Sequence, residues 1–285
     1  MKRSLFIFLS SVLLGLFFPQ LAPYLSSFTT LFLIVLMVFS LKNAKFEKVD
    51  REDFGRVQWL FLVSLFSGLV LAFFSSFFIS DLEVFSGLLL WCLMPPAVSV
   101  IAMSFILKSD VGGALLAEAV SYLVYLIVSP ILVFLFLGES ISVSLLFVQL
   151  LLVIVLPLIV AYFVRNVNTD KYNKLVIELC LALIFYVVIG KNSFFIFSEP
   201  ALFVLLVGIS LVYRFGFFAF FSKIVKTKLT DEKLFVLFST MKNTGIASVV
   251  ALSFLSNRAL LALGANILVL PFFMVFLEEY YLRKK

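Results

Sequence analysis

Histidine is absent from this 285-residue chain, which removes imidazole both as a general base and as a metal ligand. Cysteine occurs twice, as Cys92 and Cys180, and both lie inside apolar runs, so no disulfide framework is implied. Charge is scarce: Asp, Glu, Lys and Arg make up 13% of the residues, against about 25% in an ordinary soluble domain. No Gly-x-x-x-x-Gly-Lys-Ser/Thr run occurs, so ATP is not the direct energy source within this chain. No connection between apolar stretches is long enough to hold a soluble domain. The longest, 43–55, mixes both signs of charge and fits a cytoplasmic connector.

What fills the chain instead is hydrocarbon. Apolar residues account for 64% and aromatics for 17%, with 37 phenylalanines that suit lipid-facing and packing surfaces. Breaking the chain at its charge clusters leaves ten apolar stretches near 4–22, 25–41, 57–79, 84–107, 111–137, 141–164, 172–197, 200–222, 232–256 and 259–280, each long enough to cross a bilayer as a helix. The fold expected is an all-α polytopic membrane protein, one membrane domain over 1–285. Basic residues concentrate in alternate connections: Lys2 and Arg3; Lys42 to Arg56; Lys108; Arg165 to Lys174; Lys223 to Lys233; and Arg283 to Lys285. The intervening connections, holding Asp81 and Glu83, Glu139, Lys191 and Glu199, and Arg258, are short and poor in basic residues. By the positive-inside rule both termini face the cytoplasm, as an even number of spans requires. The formal net charge of +6 is therefore a topology signal and not one for nucleic acid. Met1-Lys2-Arg3 before an apolar run superficially resembles a signal peptide, but no small-residue cleavage site follows, so the segment is expected to remain as the first helix.

Two charged residues interrupt this hydrocarbon. Glu118 and Lys242 each lie about eight or nine residues inside their own stretch, which at ~1.5 Å per residue is close to the middle of a ~30 Å core. Ionisable groups at that depth usually face a cavity and one another, and a Glu118–Lys242 pair is the expectation. Desolvated pairs of this kind serve either proton exchange or structure alone. Arg214 reaches a similar depth. It has two readings: a positive charge for an anionic substrate, or a structural bond to carbonyls freed by a broken helix.

The breaks themselves are visible. Pro95 and Pro96 in the fourth stretch remove two backbone donors in mid-span, and Met241-Lys242-Asn243-Thr244-Gly245 puts a polar, glycine-containing run in the corresponding place of the ninth. Ten spans divide into five plus five, and an odd number per half inverts the halves, so two inverted five-helix repeats of about 1–137 and 141–285 are expected, with two broken crossing helices at the midplane. A fainter echo pairs Pro19 and Tyr24 with Pro157 and Tyr162. Ser99, Asn243 and Thr244, beside the breaks, can offer neutral hydrogen bonds to substrate or to unwound backbone. Glu178, a turn inside Lys174, suits an interfacial position, while Lys191 and Asn192 fall near the outer rim.

At these two segments the chain resembles the bile acid:sodium symporter family. Met94-Pro95-Pro96-Ala97-Val98-Ser99 through Lys108-Ser109-Asp110-Val111 to Ser129-Pro130 is similar to that family's Pro-Gly-Gly-x-x-Ser-Asn crossover helix, Lys-Gly-Asp turn and next helix. Lys242-Asn243-Thr244-Gly245-Ile246-Ala247 is similar to its Glu-x-x-x-Gln-Asn-x-x-Leu-Ala motif. The auxin efflux carrier family, of related architecture, is the reserve match. The resemblance implies an organic-anion carrier with ten spans. It also marks departures. Val100 and Ile101 stand where the family has the Ser-Asn sodium ligands, Phe238 where it has the ninth-helix Glu, Lys242 in place of the Gln, and Glu118 in place of a fifth-helix Thr ligand. An ammonium group would then occupy a vacated cation position, with Glu118 as its counter-ion, and sodium coupling is expected to be lost.

The function expected is a secondary transporter of a small organic anion, working by alternating access within the lipid bilayer of the cell membrane. It would be sodium-independent and coupled to protons through Glu118 and Lys242. Sodium-coupled symport through an altered ion site, an auxin-efflux-type carrier and a channel remain the alternatives. No cofactor or metal is implied, and no enzyme. An intramembrane enzyme would need paired Asp residues, a metal, or a serine with a base, such as Ser239 with Lys242, whose i,i+3 spacing on a broken helix is a weak signal.

Overall fold

In lipid, a helix is the local structure that satisfies its own backbone, and every regular element among the described residues is helical. The computed structural model describes residues 2–42, 51–138, 142–165, 167, 170–224 and 231–283. Of the residues used above to assign topology, Lys45, Lys48, Glu139, Lys226, Lys228, Lys284 and Lys285 lie outside them. The helices are α1 (Lys2–Phe17), α2 (Ala22–Ser26), α3 (Thr29–Leu41), α4 (Arg51–Ser75), α5 (Leu82–Cys92), α6 (Ser99–Ile106), α7 (Val111–Leu137), α8 (Val143–Leu150), α9 (Leu156–Val164), α10 (Asp170–Ser198), α11 (Pro200–Ile224), α12 (Glu232–Thr240), α13 (Thr244–Phe254) and α14 (Leu260–Arg283).

Six helical segments are long and apolar enough to cross a membrane in one piece: Gly55–Ser75, Val111–Leu137, Val143–Val164, Lys171–Ser198, Pro200–Lys223 and Asn257–Leu282. The other four expected spans are short or divided. The first bends by 85° between α1 and the segment Pro19–Ser26. The second is the 13-residue α3, about 20 Å long at 1.5 Å per residue. The fourth is α5 plus α6, and the ninth α12 plus α13. Both prolines of the faint echo sit at irregularities: Pro19 opens the 3₁₀ turn at the bend, and Pro157 follows a π-turn over Leu151–Val155 that joins α8 to α9.

The two divided spans begin alike. Asp81 caps α5 by accepting from the backbone of Glu83 and Val84, and Asp231 caps α12 by accepting from Lys233 N–H. An aspartate at this position satisfies otherwise orphaned amides. Each half-helix then runs only 11 or 9 residues before its chain breaks.

Packing falls into two neighbourhoods. α10 lies most extensively against α1 and α3, while α4 and α11 pack on α12, and α11 on α14. The buried apolar side chains form two clusters, and a polar layer separates them. On α4, Ser64 and Ser67 fall between Leu60 of one cluster and Leu71 of the other. On α7, Glu118 and Ser121 fall between Ala117 and Tyr122, and on α11 Arg214 falls between Tyr213 and Phe218. That layer is where the two breaks meet.

Candidate functional site

Proline cannot donate a backbone hydrogen bond, so α5 stops before Pro95-Pro96. Ala97 N–H turns away to Met241 O, and the carbonyl of Leu93 accepts instead from Ser129 Oγ of α7 at 2.5 Å. In the second break the last carbonyls of α12 are met by α11. Tyr213 Oη donates to Ser239 O at 2.5 Å, and Arg214 Nη1 to Thr240 O at 2.5 Å. Helix α13 restarts on Asn243, whose Oδ1 accepts from Ile246 N–H at 2.9 Å.

The breaks cross and pair with each other. Asn243 N–H donates to Pro95 O and Ala97 N–H to Met241 O, both at 2.8 Å, forming an isolated antiparallel bridge between Pro96 and Lys242. Backbone at this depth is tolerated only where protein satisfies it, and here each break supplies the other.

Lys242 extends from this joint into the protein and is fully buried. Its ammonium donates to Ser64 O at 2.6 Å, Ser64 Oγ at 3.0 Å and Tyr125 Oη at 3.1 Å, using all three donors of the group. The side chain reaches Ser64 because α4 carries glycine at 68. A Cβ there would lie 2.1 Å from Cys92 O and 3.2 Å from Lys242 Cε. Serine at 239, the other candidate partner, instead donates its hydroxyl to Val236 O.

The expected ion pair does not form: Glu118 makes no direct contact with Lys242. Helix geometry explains the difference. The ammonium meets α7 at Tyr125, seven residues beyond Glu118, which is about 10 Å along the axis. Glu118, 1% exposed, accepts instead from Tyr122 Oη one turn along the same helix, at 2.8 Å, and its second oxygen has no hydrogen-bond partner among the described residues. Tyr122 Oη in turn accepts from Asn243 Nδ2 at 3.1 Å, so the two charged residues communicate only through neighbours.

Of the remaining expected site residues, Thr244 Oγ1 accepts from Trp91 Nε1 at 3.1 Å, and Gly245 is buried in the first turn of α13. Ser99 opens α6 and is half-buried. Arg214, besides Thr240 O, a carbonyl freed by the second break, reaches Asn266 Oδ1 at 3.4 Å and lies over the rings of Trp91 and Phe273. Glu178 is buried and accepts from Ser4 Oγ. Asn192, expected at the rim, is fully buried. Ser64, Tyr122, Tyr125 and Tyr213 were not singled out from the sequence, and Ser129 entered only as part of the Ser129-Pro130 resemblance. Their one signal is polar atoms at three- and four-residue spacing inside apolar spans.

No family model matches the chain. It is 30% identical over 190 residues to sodium/bile acid cotransporter 7 of Xenopus tropicalis, a match covering 64% of this chain and 52% of that protein. The Mus musculus protein of the same name is 28% identical over 191 residues, covering 64% and 53%. An uncharacterized sodium-dependent transporter of Bacillus subtilis, YocS, is 24% identical over 253 residues, covering 84% of this chain and 78% of its own length. The chain thus spans about half the length of the cotransporter 7 relatives it matches. These relatives support the likeness to the bile acid:sodium symporter family.

Proposed function

We propose that the chain is a secondary transporter that moves a small organic anion across the membrane by alternating access, without sodium and with protons as the coupling ion. Ten spans complete the topology: the bent first pair, the short α3, the two broken pairs and the six long helical segments form inverted halves of about 1–137 and 141–285, both termini cytoplasmic. The helices gathered around α10 move against those gathered around α4, α11 and α12, and the substrate is held where the breaks cross. An anion suits that place. The freed carbonyls at the C-terminal ends of α5 and α12 are taken by Ser129, Tyr213 and Arg214, whereas α6 begins on Val98 without a side-chain cap, leaving a positive helix end beside Ser99.

The observation that carries sodium independence is Lys242. Its ammonium holds three oxygen contacts on Ser64 and Tyr125, the kind of neutral oxygen set that would otherwise coordinate a metal cation, while Val100 and Ile101 bring no side-chain oxygen to theirs. Glu118 is a buried carboxyl with one oxygen unclaimed, which suits a proton carrier. The relatives' names favour a second reading, sodium coupling: YocS is described as a sodium-dependent transporter, and the cotransporter 7 proteins as sodium/bile acid cotransporters.

Reconstituted protein in liposomes, given a panel of radiolabelled organic anions that includes taurocholate, separates the two. A pH gradient is expected to drive saturable uptake that is unchanged when choline replaces sodium. Uptake that follows a sodium gradient and ignores pH would establish the second reading, and a large linear conductance without saturation would exclude a carrier.

A further inference from the structure

The hydrogen bonds linking Glu118 to α13 run in one direction whenever Glu118 turns an unprotonated oxygen to Tyr122. Asn243 Oδ1 is committed to Ile246 N–H, which fixes the orientation of the amide and turns Nδ2 to Tyr122. An amide nitrogen donates and does not accept, so Tyr122 Oη accepts from Asn243. The single phenolic proton is then left for Glu118 Oε1. The chain runs unbranched from the backbone of α13, through the second break, to the carboxyl on α7. All of its side chains are buried.

We infer that Tyr122 is a positioning residue: through Asn243 it holds the first turn of α13 under the control of the acceptor that Glu118 presents. The i,i+4 spacing of Glu118 and Tyr122 places both on one face of α7. Tyr125, three residues further, serves a separate circuit, the ammonium of Lys242 and Ser64. A change at the Glu118 carboxyl therefore reaches the helix end beside Thr244 and Gly245 without passing through Lys242. As a coupling route within a carrier this rests on the function proposed above; as a structural link it is measured without any substrate.

Hydrogen–deuterium exchange of the purified protein in nanodiscs tests it, with the 243–250 backbone as reporter and the 82–92 helix as internal reference. Tyr122→Phe keeps the ring and removes one hydroxyl, and exchange in the first turn of α13 is expected to rise about tenfold, the effect of losing one buried hydrogen bond. Glu118→Leu, which removes the acceptor, is expected to do the same, whereas Glu118→Gln keeps a carbonyl acceptor and is expected to restore near-wild-type protection. Tyr125→Phe is expected to leave this turn unchanged. The inference is overturned if Tyr122→Phe leaves α13 as protected as in the wild type, if Tyr125→Phe loosens it equally, or if Glu118→Gln loosens it as much as Glu118→Leu. None of these outcomes depends on transport, so failure of the link and failure of the carrier function are told apart.

Discussion

An ammonium in the centre of a membrane protein is tolerable only if each of its protons finds an oxygen, and Lys242 meets that condition with neutral partners alone. Its replacement should therefore leave a hole lined by oxygen. Lys242→Ala is expected to destabilise the fold by roughly 2–5 kcal/mol, from the cavity and from the acceptors left without donors, measured as thermal unfolding in detergent. Added n-propylammonium, which reproduces the missing atoms, should recover part of the loss, and n-propanol should recover less. Equal recovery by both would show a hole without preference for a cation. The burial of Lys242 could be anticipated from the chain because its distance from the ends of its apolar stretch is counted along the sequence. Its partners could not, because they depend on the rotation of α4 and α7 about their own axes. The same ignorance of rotation produced the expected but unformed pair with Glu118.

The broken pairs need neighbouring helices to come unusually close. Gly68 is the tightest such approach on α4, and Gly68→Ala would drive a methyl group into the carbonyl of Cys92 and against the lysine stem. Because that contact is backbone and not the tip of a flexible side chain, destabilisation of about 1–3 kcal/mol or more is expected. Gly208 on α11 is the control, since a Cβ there meets nothing within 4 Å. Gly208→Ala should be neutral or slightly stabilising, by up to about 1 kcal/mol. Equal losses in the two variants, by thermal unfolding, would show that close packing at the break is not what Gly68 provides. Proline pairs and polar runs announce where a helix stops, so both breaks were visible in advance. That their backbones join as an antiparallel bridge was not, since sequence separation of nearly 150 residues carries no register.

Three connections are drawn together by one residue. Arg258, before α14, bonds Asp81 at the start of α5 at 3.0 Å and Glu199 between α10 and α11 at 2.7 Å, and so ties the two helix neighbourhoods to each other. All three side chains are partly exposed, with relative exposures of 25–35%, and such pairs are each worth about 1 kcal/mol or less and are weakened by salt. Arg258→Gln should therefore lower the unfolding temperature slightly in dilute buffer and hardly at all at high ionic strength. A large loss, indifferent to salt, would mean that the network is buried and structural.

Composition and the spacing of charges were enough, by themselves, to indicate a helical membrane protein, the positions of Glu118, Arg214 and Lys242 along their apolar stretches, and the places where two spans must break. Those are one-dimensional properties, set by how much hydrocarbon a run of residues offers and by which residues lack a donor. Only the tertiary structure decided that Arg214 is bound to a freed carbonyl, that Lys242 rests on Ser64 and Tyr125, and that Glu118 reaches α13 through Tyr122. Hydrogen bonds are short and directional, and whether two groups on different helices come within 3 Å is settled by tilt, rotation and close backbone approach, which nothing along the chain encodes locally.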